Sequence, residues 1–398
     1  MDYDYSPTAL KKVVYAGTQA TSFPQGSRDL KELAELDVSA ERVRRATERI
    51  GDERVAERDA QAAAYEALPI PARRTVPADQ PTPAVACVQM DGGRLQFFDR
   101  AEPQRNEDDT FWREMKVGCL WSMTSKVSEE DPCPQLPASF VDPERMRRMV
   151  LEIKGFSGPD ASGEDDEEPR VDERPGRPEP LARSVVATRH EVGAFGKLLA
   201  SEAYQRRFPG ASRKAFVADG SDANWGVWRR HFSNYVPILD FIHALTYVYA
   251  AAVTGQALRE GWQAYRAWAQ WVWSGQVDRV IAALELRQRE LGEPTKETPQ
   301  TAPSAIVAKS LGYLRNQRSR MDYPDYRRQG LPMTSTYVES TVKQINRRMK
   351  GTEKFWSHGV EPMLTLVADH LSDTPTLARF WRNRPHRLTG SRCHKSAA

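Results

Sequence analysis

The chain has 398 residues, and its 57 lysines and arginines nearly balance 54 aspartates and glutamates, for a formal net charge of +3. That length allows two or three domains and a sizeable core, while the near-neutral total excludes any argument about partners from net charge alone. The distribution says more: EDDEE at 164–168 concentrates negative charge, whereas 313–330 and 343–350 are rich in Arg and Lys, a segregation that can still present a basic surface to nucleic acid.

Residues 1–25 read as loose and polar, and MDYDYSPTALKK lacks the apolar h-region of a secretory signal. Two short helices around a tight break are predicted over 28–51. Leu30, Leu33, Ala34 and Leu36 mark the first; Ser39 is the N-cap candidate of the second, with Val43, Ala46 and Ile50 on its buried face. Arg42, Arg44, Arg45 and Arg49 fill the exposed sides, which suits either a DNA-reading helix-turn-helix or an ordinary helical hairpin with a solvated face. The N-terminal helical region is thus 1–65. Residues 66–83, EALPIPARRTVPADQPTP, form a proline-rich linker that excludes helix.

A new domain begins at 84. AVACVQM (84–90) predicts a strand ending at Asp91, Gly92-Gly93 a hairpin turn, and RLQFF (94–98) the returning strand. WREMKVGCLWSM (112–123) predicts a third, completing an antiparallel meander. The Gly, Pro, Asp and Glu of 157–183 read as a solvated or disordered acidic loop. Helix is then predicted at 190–207, strand at 214–220, helix at 223–233 and strand at 235–240. Alternation of that kind implies parallel pairing. The fold class expected is α/β, or α+β, with a mixed sheet flanked by helices, as in the ribonuclease-H-like fold.

From 241 to about 320 the pattern is continuously helical and rich in Trp. Trp262, Tyr265, Ala269 and Val272 share one stripe, read as the aromatic core of a helical subdomain in preference to exposed rings for base stacking. VPILDFIHALTYVYAAAV (236–253) is a buried strand running into a buried helix, since Asp240 and His243 interrupt it and no run reaches the ~18 apolar residues of a membrane span. Cys87, Cys119, Cys133 and Cys393 are scattered without a C-x-x-C pair, which argues against a zinc ribbon or a disulfide framework. Cys87 and Cys119 read as core residues, and a reducing cytoplasm fits.

Three carboxylates stand out. Asp91 and Asp219 each end an apolar strand and precede a Gly, which lets the chain turn sharply and leaves room for a ligand. Asp-Gly is also among the commonest turn dipeptides, so each alone is weak. Glu339 opens a helix whose buried face is Val338, Val342, Ile345 and Met349; Glu339, Lys343, Asn346 and Lys350 form the adjoining stripe. The helix dipole accounts for one acid there, but not for the other two. Together the three suit a pair of hard divalent ions beside phosphate, with the trailing cations on DNA phosphates. Asp240 is either a helix N-cap or, with His243, an orienting or ligating pair. Asp222 reads as a cap for the helix after it.

The stretches VQMDGGRLQFF, WREMKVGCL, FVADGSDANWGVW, VPILDFIHALTYVYAAA and YPDYRRQGLPMTSTYVESTVKQINRRMKG, followed by FWS, resemble the DDE transposases of bacterial insertion sequences, in particular the Kra-like group, distantly related to Mutator-type transposases. They run in family order over most of 84–372. The resemblance implies a ribonuclease-H-like catalytic core over 84–240 and 335–375, interrupted by an all-helical insertion at 241–334, with a basic tail at 376–398. It implies Asp91, Asp219 and Glu339 as the catalytic and metal-holding triad, Asp240 and His243 as an accessory Asp-x-x-His signature, and Mg²⁺ or Mn²⁺, two ions, as cofactor. The implied activity is cleavage and strand transfer at element ends, in a homo-oligomer on element and target DNA, in a nucleoid-associated cytoplasmic setting. Arg42, Arg45, Lys343, Arg347 and Lys350 are the DNA-contact candidates. Thr334–Tyr337 departs from the small Gly-containing turn usual before the glutamate, and Thr352–Trp356 departs from the Gly and Arg usual before the Trp. The alternatives are an inactive DNA-binding relic and a ribonuclease-H-like nuclease without strand transfer.

Overall fold

The computed structural model describes residues 5–76, 81–98, 111–147, 175–351, 354, 356 and 359–384. Strands β1 (Val85–Gln96), β2 (Trp112–Thr124), β3 (Glu179–Thr188), β4 (Arg213–Ala218) and β5 (Val236–Leu239) form one sheet in the order β3-β2-β1-β4-β5. β1 pairs antiparallel with β2, and β2 with β3; β1 and β4, and β4 and β5, are parallel. The chain is therefore a mixed α+β protein built on a mixed sheet, as expected, but two of the meander's elements differ from the sequence reading.

β1 does not turn at Gly92-Gly93. It runs straight through, with Gly92 opposite Lys116 and Gly93 opposite Met115, and neither glycine has positive φ. The glycines make room instead: a Cβ on Gly93 would stand 2.4 Å from Met115 Cε. RLQFF continues β1 and then bridges to Trp356, so it does not return beside it. The third strand of the meander is β3, whose start, 179–183, overlaps the predicted acidic loop. Val185, Val186 and Ala187 are buried there, and the sheet edge tolerates Pro180. The EDDEE run and the rest of that loop up to 174 lie outside the described residues.

The N-terminal region is more ordered than its composition suggests. α1 (Pro7–Gln19) and α2 (Phe23–Ala34) occupy the stretch read as loose. The hydroxyls of Ser6 and Ser22 accept from the amides of Ala9 and Gln25 at 3.2 Å each, and a proline opens both helices, where its missing N–H costs nothing. Leu10, Val13 and Val14 bury against Leu30, Val43, Ala46 and Ile50. α3 (Ala40–Ala67) is a single long helix, not a short one, and Ser39 makes no side-chain cap. Intrahelical pairs such as Arg44–Glu48 and Arg45–Glu41, both 2.6 Å, support its exposed face. α4 (Ile70–Arg73) puts a helical turn inside the proline-rich linker, again with proline in its first turn.

α5 (Val192–Gln205) and α6 (Asp222–His231) match expectation, although Ser221, not Asp222, caps α6 by accepting from Asn224 N. The helical insertion comprises α7 (Phe241–Val253), α8 (Leu258–Trp273), α9 (Val277–Leu291), α10 (Pro303–Gln317) and α11 (Tyr323–Arg328). Tyr265, Trp268, Ala269, Val272 and Trp273 are buried, and Trp262 packs half-buried against them, which is the core role expected. Among the described residues no helix is long and apolar enough to cross a membrane. α12 (Thr336–Met349) lies over β1 and β2, burying Val338, Val342, Ile345 and Met349 as its periodicity requires. α13 (Val360–His370) seats on α3, and α14 (Thr376–Asn383) begins the predicted basic tail, whose residues from 385 lie outside the described ones. Buried Arg54 of α3 reaches Asp369 of α13 at 2.8 Å, so the N-terminal helices are packed onto the C-terminal segment. Cys87 and Cys119 are fully buried core residues; Cys393 lies outside the described residues.

Candidate active site

The sheet registers bring three aspartates into one row. Gln89 pairs with Val217, so Asp91, two residues on, stands beside Asp219. Ala218 pairs with Leu239, so Asp219 in turn stands beside Asp240, and the Asp240 amide extends the ladder by donating to Ala218 O at 2.9 Å. The row marks the point where parallel pairing stops, at the carboxyl ends of β4 and β5, where open sheets place ligands. Asp91 is not at a strand end, as the sequence suggested. It lies within β1, just past the last pair that β1 makes with β4, while the β1–β2 ribbon continues outward.

α12 delivers Glu339 to the same place. Glu339 Oε1 stands 3.0 Å from Ser335 Oγ and 4.0 Å from His243 Nδ1. Among the described residues, ligand atoms of Asp240, His243 and Glu339 come within 4.8 Å of one another. Asp91 is close enough to feel the charges of Asp219, Asp240 and His243, and Glu339 those of Asp240, His243 and Asp91. The predicted triad and the accessory pair thus share one end of the sheet, and the tightest grouping within it is the accessory pair with Glu339.

Each acid is held differently. Asp240 is fully buried, and its Oδ1 caps α7 by accepting from Ile242 N at 2.6 Å and His243 N at 3.3 Å. Its Oδ2 accepts from Ser335 N at 2.8 Å and from the Ser335 hydroxyl. Both oxygens are engaged by protein donors, so Asp240 is a clamp that sets the positions of His243 and of the turn before Glu339. Asp219 accepts on Oδ1 from Ser221 N at 3.0 Å and Asn224 Nδ2 at 2.7 Å. Its turn is pinned from α10: Tyr313 OH donates to Asp219 O at 2.6 Å and Gln317 to Gly220 O at 2.9 Å. Gly220 has φ +95°, and a Cβ there would meet the Tyr313 ring at 2.9 Å, so this glycine is needed both for its conformation and for closeness. Among the described residues Asp91 accepts only from its neighbour's amide, Gly92 N, at 2.7 Å.

The electrostatics are those of an anionic cluster short of positive charge. Burial pushes Asp91 up to about 6, and Asp219 and Asp240 add to it against the Gly92 amide and His243. Burial likewise pushes Glu339 up to about 7, with Asp240 next in effect. His243 moves the other way round: burial opposes its imidazolium, but Asp240, Glu339 and Asp219 outweigh that and lift it to about 9. A protonated His243 has no lone pair to offer and serves as an internal countercharge. Its Nδ1 is buried 3.4 Å from Asp240 Oδ2 without hydrogen-bond geometry. One imidazolium against four carboxylates leaves a partly open, oxygen-lined site with excess negative charge. Hard divalent cations fit such a donor set, and Asp91, Asp219 and Glu339 are the acids with oxygens not fully taken up by protein donors.

The basic candidates divide. Lys343 and Arg347 are exposed along α12 beyond Glu339, and Lys350 is half-buried with its ammonium 5.6 Å from the Trp112 ring. Arg42 and Arg45 are exposed on α3, where Arg45 pairs with Glu41. Tyr337, the bulky departure before Glu339, packs against Trp121 with ring centroids 4.7 Å apart. Sequence reasoning missed Ser335, Asn224, Tyr313 and Gln317. Ser335 stands four residues before Glu339, and Tyr313 and Gln317 share one helix face, so the spacings carried a trace of these roles; the partners 95 and 94 residues away did not show. The chain matches no known protein family in sequence, and it matches no curated protein.

Proposed function

We propose that the chain is a DDE-type DNA transposase with a ribonuclease-H-like core. The observation that carries this is the row of Asp91, Asp219 and Asp240 across three parallel strands, faced by Glu339 from α12. The strand order, with the second strand antiparallel between two neighbours, supports the fold part of the reading. Mg²⁺ or Mn²⁺ held by Asp91, Asp219 and Glu339 would supply charge stabilisation to the attacking and leaving oxygens of a phosphodiester displacement. The protein's own part is placement. Asp240 fixes the start of α7 and, through Ser335, the start of α12; His243 keeps the cluster from repelling itself apart. Exposed Lys343 and Arg347 offer charge to flanking phosphates. Water first cleaves the strand at the element end, leaving a 3′-hydroxyl, which then displaces a phosphodiester of target DNA at the same site. Positioning and charge dominate such chemistry, and little protein acid–base work is needed. Tyr337, seated on Trp121, fills core space, which removes one motive for reading the chain as an inactive relic.

The test uses a plasmid carrying the element with its flanks, incubated with full-length protein and Mg²⁺ or Mn²⁺. Cleaved ends and joined products are expected from the wild type, with loss of both in Asp91→Asn, Asp219→Asn and Glu339→Gln while DNA binding and circular dichroism persist. Near-wild-type cleavage by any one of these removes that residue from the site. Binding without cleavage in Mn²⁺ leaves only a DNA-binding role, and cleavage of pre-cut ends' flanks without joining leaves a nuclease.

A further inference from the structure

At the far end of the sheet from the acids, a cleft of about 790 Å³, open mouth included, is bounded by the end of α3, by α4, by α5 and by the turn between α6 and β5. It lies against Tyr235, at the start of β5, whereas Asp240 follows the end of that strand; at the rise of a β-strand the two are separated by roughly 15 Å. Its lining includes Arg73, Arg74 and Arg230 and, among the described residues, no acid. Arg73 is committed to the fold. Its guanidinium donates to Leu68 O at 2.8 Å and to Glu66 O, closing the end of α3, and lies 5.4 Å from the Tyr65 ring centre. Arg74 and Arg230 are exposed and, among the described residues, engage no carboxylate. Tyr65 and Tyr204, half-buried, stand with centroids 5.4 Å apart at 46°, an aromatic wall beside the two cations. His231 also lines the cleft, but its Nε2 is buried against Gly196 of α5, 3.0 Å from where a Cβ there would stand. Burial, and after it the nearby Arg230, holds this imidazole down to about 4; Glu66, paired with Lys197 at 3.0 Å, is the opposing charge.

Cations without an anionic partner among the described residues, beside an aromatic wall in an open cleft, match one ligand chemistry: a phosphate attached to a planar base. We propose that this cleft is a second, nucleotide-binding site, in which Arg74 and Arg230 take the phosphate and the Tyr65–Tyr204 wall takes the base. The nucleotide can be free or part of a single strand, and base stacking on aromatics is tolerant of sequence in either case. The site is independent of the acids, so it is tested in EDTA, where the proposed transposase chemistry plays no part.

Binding of a short fluorescent single-stranded oligonucleotide to full-length protein is measured by anisotropy, with dAMP, deoxyadenosine and inorganic phosphate as competitors. R74E/R230E should weaken binding at least about tenfold, whereas R259E/R266E, the same charge change on the exposed face of α8, should change it little. Tyr204→Ala should weaken the oligonucleotide without changing inorganic phosphate binding. Competition by dAMP, with deoxyadenosine and phosphate much weaker, identifies a site for free nucleotides; oligonucleotide binding that dAMP does not displace, but that R74E/R230E and Tyr204→Ala both weaken, identifies a strand site. Equal losses in the two double variants, phosphate competing as well as dAMP, or no binding of either nucleotide form overturns the proposal.

Discussion

Replacing Asp240 by alanine should destabilise the protein far more than replacing any of the acids proposed to hold metal. The magnitude follows from its bonds. Removing the carboxylate deletes the α7 N-cap at Ile242 and His243, worth about 1 kcal/mol. It also strands the amide of buried Ser335, at about 1–3 kcal/mol for the unsatisfied donor, while the hydroxyl can still turn to Glu339 Oε1. Before the relief of no longer burying a charge, the two sum to about 2–4 kcal/mol. Asp240→Asn separates the two parts. Asparagine caps helices as well as aspartate does, but its amide group faces Ser335 with donors against donors. The asparagine variant should therefore lose only the clamp, about 1–3 kcal/mol. The assay is urea denaturation in EDTA, with hydrogen exchange followed at residues 242, 243 and 335. The alanine variant should expose all three amides to faster exchange, the asparagine variant only that of Ser335. An alanine variant as stable as wild type, or an asparagine variant that frees all three amides alike, refutes the clamp.

Added Mg²⁺ or Mn²⁺ should raise the thermal midpoint of the wild type, by the equivalent of about 2.7 kcal/mol at a hundredfold excess over Kd, and the rise should shrink in Asp91→Asn, Asp219→Asn or Glu339→Gln; an undiminished rise in the combined variant places the metal elsewhere. In metal-free buffer near pH 8, Glu339→Gln should be at least as stable as wild type, since it removes a carboxylate held at about 7 by burial and by Asp240; a clear loss in denaturation midpoint contradicts the crowding of charge. His370 is held down to about 4 by burial and then Lys11, so the unfolded chain takes up its proton first. Its contribution is complete above about 6.5 and is lost as pH falls toward 4, by up to about 1.4 kcal/mol per pH unit. Because Asp91 and Glu339 change stability in the opposite direction, the readout is the difference between wild type and His370→Phe, which keeps the edge contact with Tyr15; parallel midpoints from pH 7 to 5 would exclude the effect. Gly51→Ala would drive a Cβ to 2.5 Å from Pro362 Cβ and should cost about 1–3 kcal/mol while loosening the N-terminal helices from α13; unchanged limited proteolysis in that region would show that the contact does not hold them.

The convergence of the acids was legible where a single local signal carried it. The apolar runs that lead to Asp91 and Asp219 and the Val338–Met349 face under Glu339 each follow from strand or helix periodicity, although β1 continues past Asp91, and the row is simply the register of those strands. What stayed hidden depended on partners remote in sequence. Nothing local to Asp240 distinguishes a cap from a clamp, because the second half of its coordination comes from Ser335. Gly92-Gly93 misled because a turn signal and a packing requirement use the same residue: only the depth of Met115 and Val342 beside Gly93 shows that the glycines serve closeness. α1 was recoverable, since Ser6, Pro7, Leu10, Val13 and Val14 spell a capped amphipathic start, but the polar composition around them outweighed it. β3 was missed because its buried Val185–Ala187 follow a run of polar residues and proline.

The bond between Asp240 and Ser335 also bears on how such a chain can vary. It ties together two points 95 residues apart, and Phe241 N, which donates to Met333 O at 3.0 Å, doubles the knot. The helices α7 to α11 therefore leave and rejoin the sheet at one stitched seam, and the entropy of closing that loop grows only slowly with its length. Remodelling far from the seam, by trimming or grafting turns onto α8 and α9, would leave the acidic row undisturbed so long as Tyr313 and Gln317 still reach the Asp219–Gly220 corner.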